Sequence, residues 1–331
     1  MIVKEAENKK LAGRSSAFLR HLIKLAKLDT RTSLIGINPI EVFLWTFRRN
    51  EKDVIRLYNS LSPIMQLATG ANMLNFGYWV DDVKTPIEAQ SKLCMTVGRI
   101  AELDSSKSLV DVGSGFGAPA VLWKNVFNPQ IFCVNINCQQ LVMSSKAVCR
   151  TLENPSEMSN PCKANGISFI NSTSLALPFA NHSIDRVISL ESAQHFKPLS
   201  MFIEESWKIL KFNGLLVIAI PVTVISDDPI KTLIKLGILA LTWSSQHYRL
   251  DYVKSTITKQ GFKIKGIEII GSRVYDPLAE YYFKNRKLLR ERILTRYPAY
   301  VENILYRSMV QMRNTSKKRI IDYVVIKARK T

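Results

Sequence analysis

Residues 109–117 read Leu109-Val110-Asp111-Val112-Gly113-Ser114-Gly115-Phe116-Gly117. A short apolar strand runs into three glycines at alternate positions, and Ala118-Pro119 then opens a helix. Glycine has no Cβ, so a ligand can approach this turn closely. The first N–H groups of the following helix lack intrahelical partners. Dinucleotide sites space their glycines GxGxxG around a pyrophosphate. Here the spacing is GxGxG, with an acidic residue two positions before the first glycine. That suits a nucleoside bearing an amino acid, whose ammonium matches Asp111 and whose carboxylate matches backbone N–H groups. The competing reading is a tight strand–helix turn that binds nothing.

Upstream, Thr85-Pro86-Ile87-Glu88 combines a capping box with proline at the first helical position and predicts a helix to about Leu103. Downstream, strands at 131–136, 167–170, 185–190, 215–220, 262–270 and 323–328 alternate with helices at 139–152, 201–210 and 250–260. With 109–112 they make seven strands of an α/β, doubly wound, Rossmann-like sheet. Right-handed crossovers then set a ligand at the carboxyl ends of the strands. Residues 222–249 and 271–320 exceed what such a fold needs. Both are expected to be helical, with Asp276-Pro277 a start and Pro298 a break. Before the sheet, 44–61 is predicted helical and 15–28 reads as a short basic amphipathic helix. The division expected is a basic helical extension or lid over 1–84 and a ligand-binding domain over 85–331. The extension and the two insertions would form one cap over the site.

The 331 residues are 47% hydrophobic and 22% charged, which excludes a disordered or low-complexity chain. Lysine and arginine number 46 against 27 acidic residues, a net +19. The ends carry most of it: residues 1–60 hold 12 basic and 6 acidic side chains, and residues 271–331 hold 15 and 5. Five cysteines, without a CxxC pair or a histidine at ligand spacing, argue against disulfides and zinc, so no metal is expected. No stretch approaches the roughly 18 apolar residues of a membrane span, and Met1-Ile2-Val3-Lys4-Glu5 lacks a signal-peptide core. The expected location is cytoplasmic.

Several further elements follow one another in order: Asn75-Phe76-Gly77-Tyr78-Trp79, then Ile131-Phe132-Cys133-Val134-Asn135-Ile136-Asn137-Cys138-Gln139-Gln140, then Leu177-Pro178-Phe179-Ala180-Asn181-His182-Ser183-Ile184-Asp185. Leu190-Glu191-Ser192-Ala193-Gln194-His195-Phe196 and Leu210-Lys211-Phe212-Asn213-Gly214 complete them. With the glycine run, they resemble the class I S-adenosylmethionine-dependent methyltransferases, in particular small-molecule enzymes of the rebeccamycin and tocopherol type. Those write the same elements as hFGYW, vxGIxISxxQ, LPFxdxsFD, lESxxHf and LKPGG. The resemblance spans residues 71–270 and leaves 1–70 and 271–320 outside.

The resemblance implies S-adenosyl-L-methionine as cofactor and a small, hydrophobic methyl acceptor, methylated on O, N or C. Gly113, Ser114, Gly115 and Gly117 with Asp111 would hold the methionine half. Asn135 would face the ribose, with Ile136 and Gln140 beside it also binding cofactor. Thr173, Ser174 and Leu175 would meet the adenine edge. Leu190 would lie beneath the methionine end, and Tyr78 would help close the pocket. Two positions depart from the family: Asn135 stands where an acid is common, and Thr173 where Asp is usual. A neutral hydrogen bond in place of a charged one loses about 1 kcal/mol, roughly a factor of five. A non-catalytic, cofactor-binding relative therefore stays among the readings.

His195 is the candidate base. Methyl transfer is an in-line displacement at a sulfonium, to which a protein contributes proximity, orientation and, for a hydroxyl acceptor, a base near pH 7. Glu191 lies four residues earlier. On a helix the two would share a face, and Glu191 would orient the imidazole or hold the cofactor's ammonium. A histidine fixed in a loop for structural reasons is the competing reading. The basic ends also admit an RNA methyltransferase. Against it, the Asn/Asp-Pro-Pro-aromatic signature of amino-methylating nucleic-acid enzymes is replaced here by Leu190-Glu191-Ser192-Ala193, and no cysteine is placed as a nucleophile. No specific nucleic-acid binding is expected. The basic 15–28 and 277–293 segments read as solvated faces or as peripheral contacts with an anionic membrane.

Overall fold

Two capping boxes open the helices in front of the sheet. Asn50 accepts the Asp53 N–H at 2.9 Å and Asp53 accepts the Asn50 N–H in return, starting α1 (Glu51–Thr69). Thr85 and Glu88 do the same for α2 (Pro86–Ile100), as the sequence predicts. The helix expected at 44–61 begins at 51 and continues through Pro63 to Thr69, with Leu57 and Ile64 buried. The computed structural model describes residues 50–70, 73–80, 82–150, 163–164, 166–224, 229–243 and 245–331. The expected 15–28 helix and the start of the expected 44–61 helix lie outside these residues.

The strands are β1 (Ser108–Val112), β2 (Gln130–Asn135), β3 (Lys163–Ala164), β4 (Ile167–Asn171), β5 (Ile184–Leu190), β6 (Leu210–Thr223), β7 (Phe262–Ile269) and β8 (Ile321–Lys330). Their order in the sheet is β3-β4-β2-β1-β5-β6-β8-β7. Strands β4, β2, β1, β5 and β6 run parallel, and β8 is antiparallel to both β6 and β7. This is the seven-stranded doubly wound sheet expected, with the two-residue β3 added antiparallel at one edge. The chain moves from β1 to β2 on one side and to β5 on the other, so the crevice at the carboxyl end of β1 is a topological switch point.

The remaining helices are α3 (Ala118–Phe127), α4 (Cys138–Arg150), α5 (Leu199–Ile209), α6 (Pro229–Leu236), α7 (Ile238–Thr242), α8 (Leu250–Lys259), α9 (Tyr275–Lys284), α10 (Arg286–Leu294) and α11 (Ala299–Lys317). Side chains alternate across a strand. Along β1, Leu109 therefore joins a core with Leu93 of α2 and Trp123 of α3, while Val110 and Val112 join one with Phe202 of α5 and Val253 of α8. Both insertions are helical, but the helix expected at 277–293 is two, parting at Asn285. Pro298 caps α11. Buried Glu302 on α11 accepts from Arg286 at 2.9 and 3.1 Å and from the Tyr282 hydroxyl at 3.1 Å, tying α9 and α10 to α11. Helix α10 in turn packs on α1.

Candidate functional site

Gly113, Gly115 and Gly117 have φ of +81°, +55° and +70°, a left-handed backbone that glycine adopts without steric cost. Gly113 and Gly115 serve different ends. A Cβ on Gly113 would lie 2.2 Å from the Ser192 Cβ. Ser192 is fixed there because its hydroxyl donates to the Val112 carbonyl at 2.6 Å and pairs with Ser189 Oγ at 2.6 Å. A Cβ on Gly115 would meet nothing within 4 Å. Gly115 lines a cavity of about 860 Å³, whose wall includes Val112, Asn135 and Leu190, the last residues of β1, β2 and β5.

Of the residues singled out in the sequence, Gly113, Ser114, Gly115, Asn135, Ile136, Gln140, Ser174, Leu190, Glu191 and His195 line this cavity. Asp111, Gly117, Tyr78, Thr173 and Leu175 are not part of its wall. Asp111 shares the Leu109 side of β1 and lies against Cys94 and Cys133. It is 2% exposed, its Oδ2 lacks a hydrogen-bond partner, and burial pushes the carboxyl up to about 7. Gly117 caps α3, packed near Phe169 and Ser144. Tyr78 packs beside α2, its N–H donating to the Ala89 carbonyl at 2.8 Å and its hydroxyl accepting from Arg273 at 3.1 Å. The Thr173 hydroxyl donates to the Glu51 carboxylate and accepts the Leu175 N–H at 3.2 Å.

Asn135 is wired into the loop it supports. Its amide donates to Gln140 Oε1 at 2.9 Å and to the Gly115 carbonyl at 3.3 Å, while Oδ1 accepts the Asn137 N–H. An acid at 135 would turn a carboxylate oxygen toward two acceptors, so the departure from the family's acid follows from the local network. Gln140 keeps its Nε2 buried and unpartnered, as Asn75 does its Oδ1.

Glu191 ends the β5 run at φ +52°. Both carboxylate oxygens accept the Phe76 N–H at 3.0 Å, and Oε1 accepts the Tyr323 hydroxyl at 2.9 Å. Burial outweighs these bonds and pushes the carboxyl up to about 8. The segment after it is a three-residue 3₁₀ turn, Ala193–His195, which Glu191 precedes. The shared helical face expected for Glu191 and His195 is therefore absent. His195 Nε2 instead lies 2.9 Å from the Tyr58 hydroxyl, the two rings packed edge to face at 5.4 Å. Burial, with Glu191 nearby, raises the Tyr58 phenol above its usual value, so it stays a donor.

The sequence predicts the helix α1 but not the side chains it contributes to the site. The helix brings Glu51, Ile55 and Tyr58 to the cavity wall, and its Asn59 accepts from Asn137 at 2.8 Å. The spacing i, i+4, i+7 places Glu51, Ile55 and Tyr58 on one helical face, a signal available in the sequence. A second chamber of about 200 Å³ adjoins the first and shares Tyr58, Leu74, Glu191 and His195 with it. Its walls come from α1, from Thr242, Trp243 and Ser245 of the first insertion, and from α11 of the second.

Residues 110–218 match the family described as a methyltransferase domain. Erythromycin 3''-O-methyltransferase from Saccharopolyspora erythraea is 26% identical over 305 residues, covering 87% of this chain and 93% of that protein. Among solved structures, the cyclase SpnF superposes with a TM-score of 0.67 at 19% identity, covering 85% of this chain and 96% of that one. The cyclopropane synthase MmaA2 from Mycobacterium tuberculosis superposes at 0.66 and 15% identity, covering 89% and 100%. With the strand order and the glycine turn at its switch point, these comparisons give the chain a methyltransferase domain over residues 110–218 and a fold similar to that of the class I S-adenosylmethionine-dependent methyltransferases.

Proposed function

We propose that the protein transfers a methyl group from S-adenosylmethionine to a hydroxyl of a small apolar molecule, with His195 as the base. The observation that carries this reading is the junction of the two chambers: the glycine-lined cavity and the apolar chamber meet at His195, Glu191 and Tyr58. The O-methyltransferase relative supports oxygen as the acceptor atom.

The larger cavity fits the cofactor. Gly115 leaves open space where a side chain would intrude, and Gln140 Nε2 and Asn75 Oδ1 are buried polar atoms in its wall without protein partners. Buried polar groups of this kind are normally satisfied. Gly113, Ser114 and Gly115 would hold the methionine half and Gln140 the ribose. Glu51, beside Thr173, would supply the carboxylate that the usual Asp provides at the adenine edge. When bound, the cofactor supplies an electrophilic methyl on a sulfonium. The chain's part is to orient the acceptor, exclude water and take its proton at His195 Nε2 by way of the Tyr58 hydroxyl, which would accept the acceptor's O–H proton as it passes its own to the ring. The described part of 1–84, chiefly α1, would act with the helices of the two insertions as the cap, and the strands of 85–331 carry the sheet.

The nucleic-acid alternative is not favoured, because the groups around His195 open into an apolar chamber. Exposed Leu288, Leu294, Tyr300 and Ile304 alternate with exposed Lys287, Arg290, Arg292 and Arg296 at the α10–α11 corner, which supports peripheral contact with an anionic bilayer. Among the described residues, no helix is long and apolar enough to cross a membrane.

The test is methyl transfer from labelled S-adenosylmethionine to a panel of neutral apolar alcohols. A methyl ether is expected, with turnover falling by about 10²–10⁴ in His195→Ala while S-adenosylhomocysteine affinity holds. Undiminished turnover in that variant would remove His195 from the chemistry.

A further inference from the structure

We infer that the second chamber is the acceptor's own binding site, and that it selects an uncharged apolar molecule carrying a hydrogen-bond donor read by Gln194 Oε1. This rests on the methyltransferase reading above and adds the class of molecule accepted.

Leu57, Leu61 and Ile64 of α1 line the chamber together with Trp243, Leu305 and Met309. Among the described residues lining it there is no lysine or arginine. Its two ionisable groups of acid–base interest, Glu191 and His195, both stand at the junction end. A phosphate or carboxylate in the chamber would be desolvated with no counter-charge. An ammonium would gain little, because both Glu191 oxygens already accept the Phe76 N–H and one also accepts the Tyr323 hydroxyl.

Ser308 and Thr242 are already engaged: the Ser308 hydroxyl lies 2.9 Å from the Ile304 carbonyl and 3.3 Å from Thr242 Oγ1, and Thr242 donates to the Ile238 carbonyl at 3.1 Å. Gln194 differs. Its amide donates to the Glu191 carbonyl at 2.6 Å, and its Oε1 is left buried without a partner on a residue only 6% exposed. A buried acceptor with no donor costs free energy, and a ligand O–H or N–H would remove that cost. Gln194 also adjoins His195 in sequence, so a donor held there sets the rest of the molecule beside the base. Tyr300 and Ile304, each 44% exposed, line the chamber and form an apolar entrance from solvent.

The test is calorimetric titration of the full chain, with and without saturating S-adenosylhomocysteine, using 1-octanol, octyl phosphate, octanoate and octylammonium as probes. Octanol is expected to bind at least tenfold more tightly than any of the three ions. Gln194→Leu should weaken octanol about fivefold, the value of one neutral hydrogen bond. Leu61→Trp, or Met309→Trp should the first not fold, should abolish octanol binding and leave S-adenosylhomocysteine binding intact. Equal or tighter binding of an ion, or octanol binding that survives the filled chamber, would overturn the inference. Absence of S-adenosylhomocysteine binding alongside normal octanol selectivity would instead refute the methyltransferase reading alone.

Discussion

Gly113→Ala and Gly115→Ala insert the same methyl group two residues apart, yet their consequences should separate cleanly. At Gly113 the new Cβ would lie 2.2 Å from the Ser192 Cβ and 2.5 Å from its Oγ, so Ser192 must move. Moving it forfeits the hydrogen bonds to Val112 and Ser189, at about 1 kcal/mol each. A left-handed L-residue adds about 1–2 kcal/mol and overpacking about 1–3 kcal/mol, for a total near 5 kcal/mol. At Gly115 no neighbour lies within 4 Å, so only the left-handed cost of about 1–2 kcal/mol applies. At roughly 2 °C per kcal/mol for a chain of this size, Gly113→Ala should lower Tm by about 10 °C and Gly115→Ala by about 3 °C. The order reverses for the ligand site, where Gly115→Ala should weaken S-adenosylhomocysteine at least about tenfold because its methyl stands in the cavity. Scanning calorimetry and titration of the two variants measure both quantities. Equal losses of Tm, or a Gly115→Ala protein that binds as tightly as the parent, would refute the division of roles between the two glycines.

Tyr58→Phe should lower kcat at least about fivefold through loss of the hydroxyl bonded to His195, with S-adenosylhomocysteine affinity unchanged by titration. Thr173→Asp, which would restore the family's usual acid, should instead weaken the cofactor, because the new carboxylate would face Glu51; tighter binding would mean that Glu51 turns away when the site is filled. Burial raises Glu191 from 4.5 to about 8 and Asp111 from 3.8 to about 7, so the fold retains protons that the unfolded chain has released. Their stabilisation is present below pH 4 and lost as pH rises through 7 to 8, so Tm should fall between pH 5 and 8, and less steeply in Glu191→Gln. The carboxyls held low by basic or hydroxyl partners (Glu102, Asp185 and Glu302) act with the opposite sign, below that window.

Much of the sheet was legible because each strand is a short apolar run closed by turn residues, and Thr85-Pro86-Ile87-Glu88 carries its own helix start. The Asn50 capping box differs from the usual pattern in having Asp53 rather than glutamate or glutamine as its third residue, and α1 runs through Pro63 beyond the expected end at 61. Its place two residues before the first glycine points Asp111 toward the ligand. Period-two alternation along β1 sends it instead to the Leu109 side, a distinction the sequence contains. The partnership of Tyr58 with His195 spans 137 residues and no local pattern announces it. The same holds for Glu191, Phe76 and Tyr323, which meet only once the sheet and its insertions have closed.

Calorimetric titration of S-adenosylhomocysteine into the wild-type chain and Gly115→Val bears most directly on cofactor binding in the glycine-lined cavity. One molecule bound per chain, with binding lost in a variant that keeps its Tm within a few degrees, is the expected result. No binding by the wild type, or equal binding by the two, would contradict it.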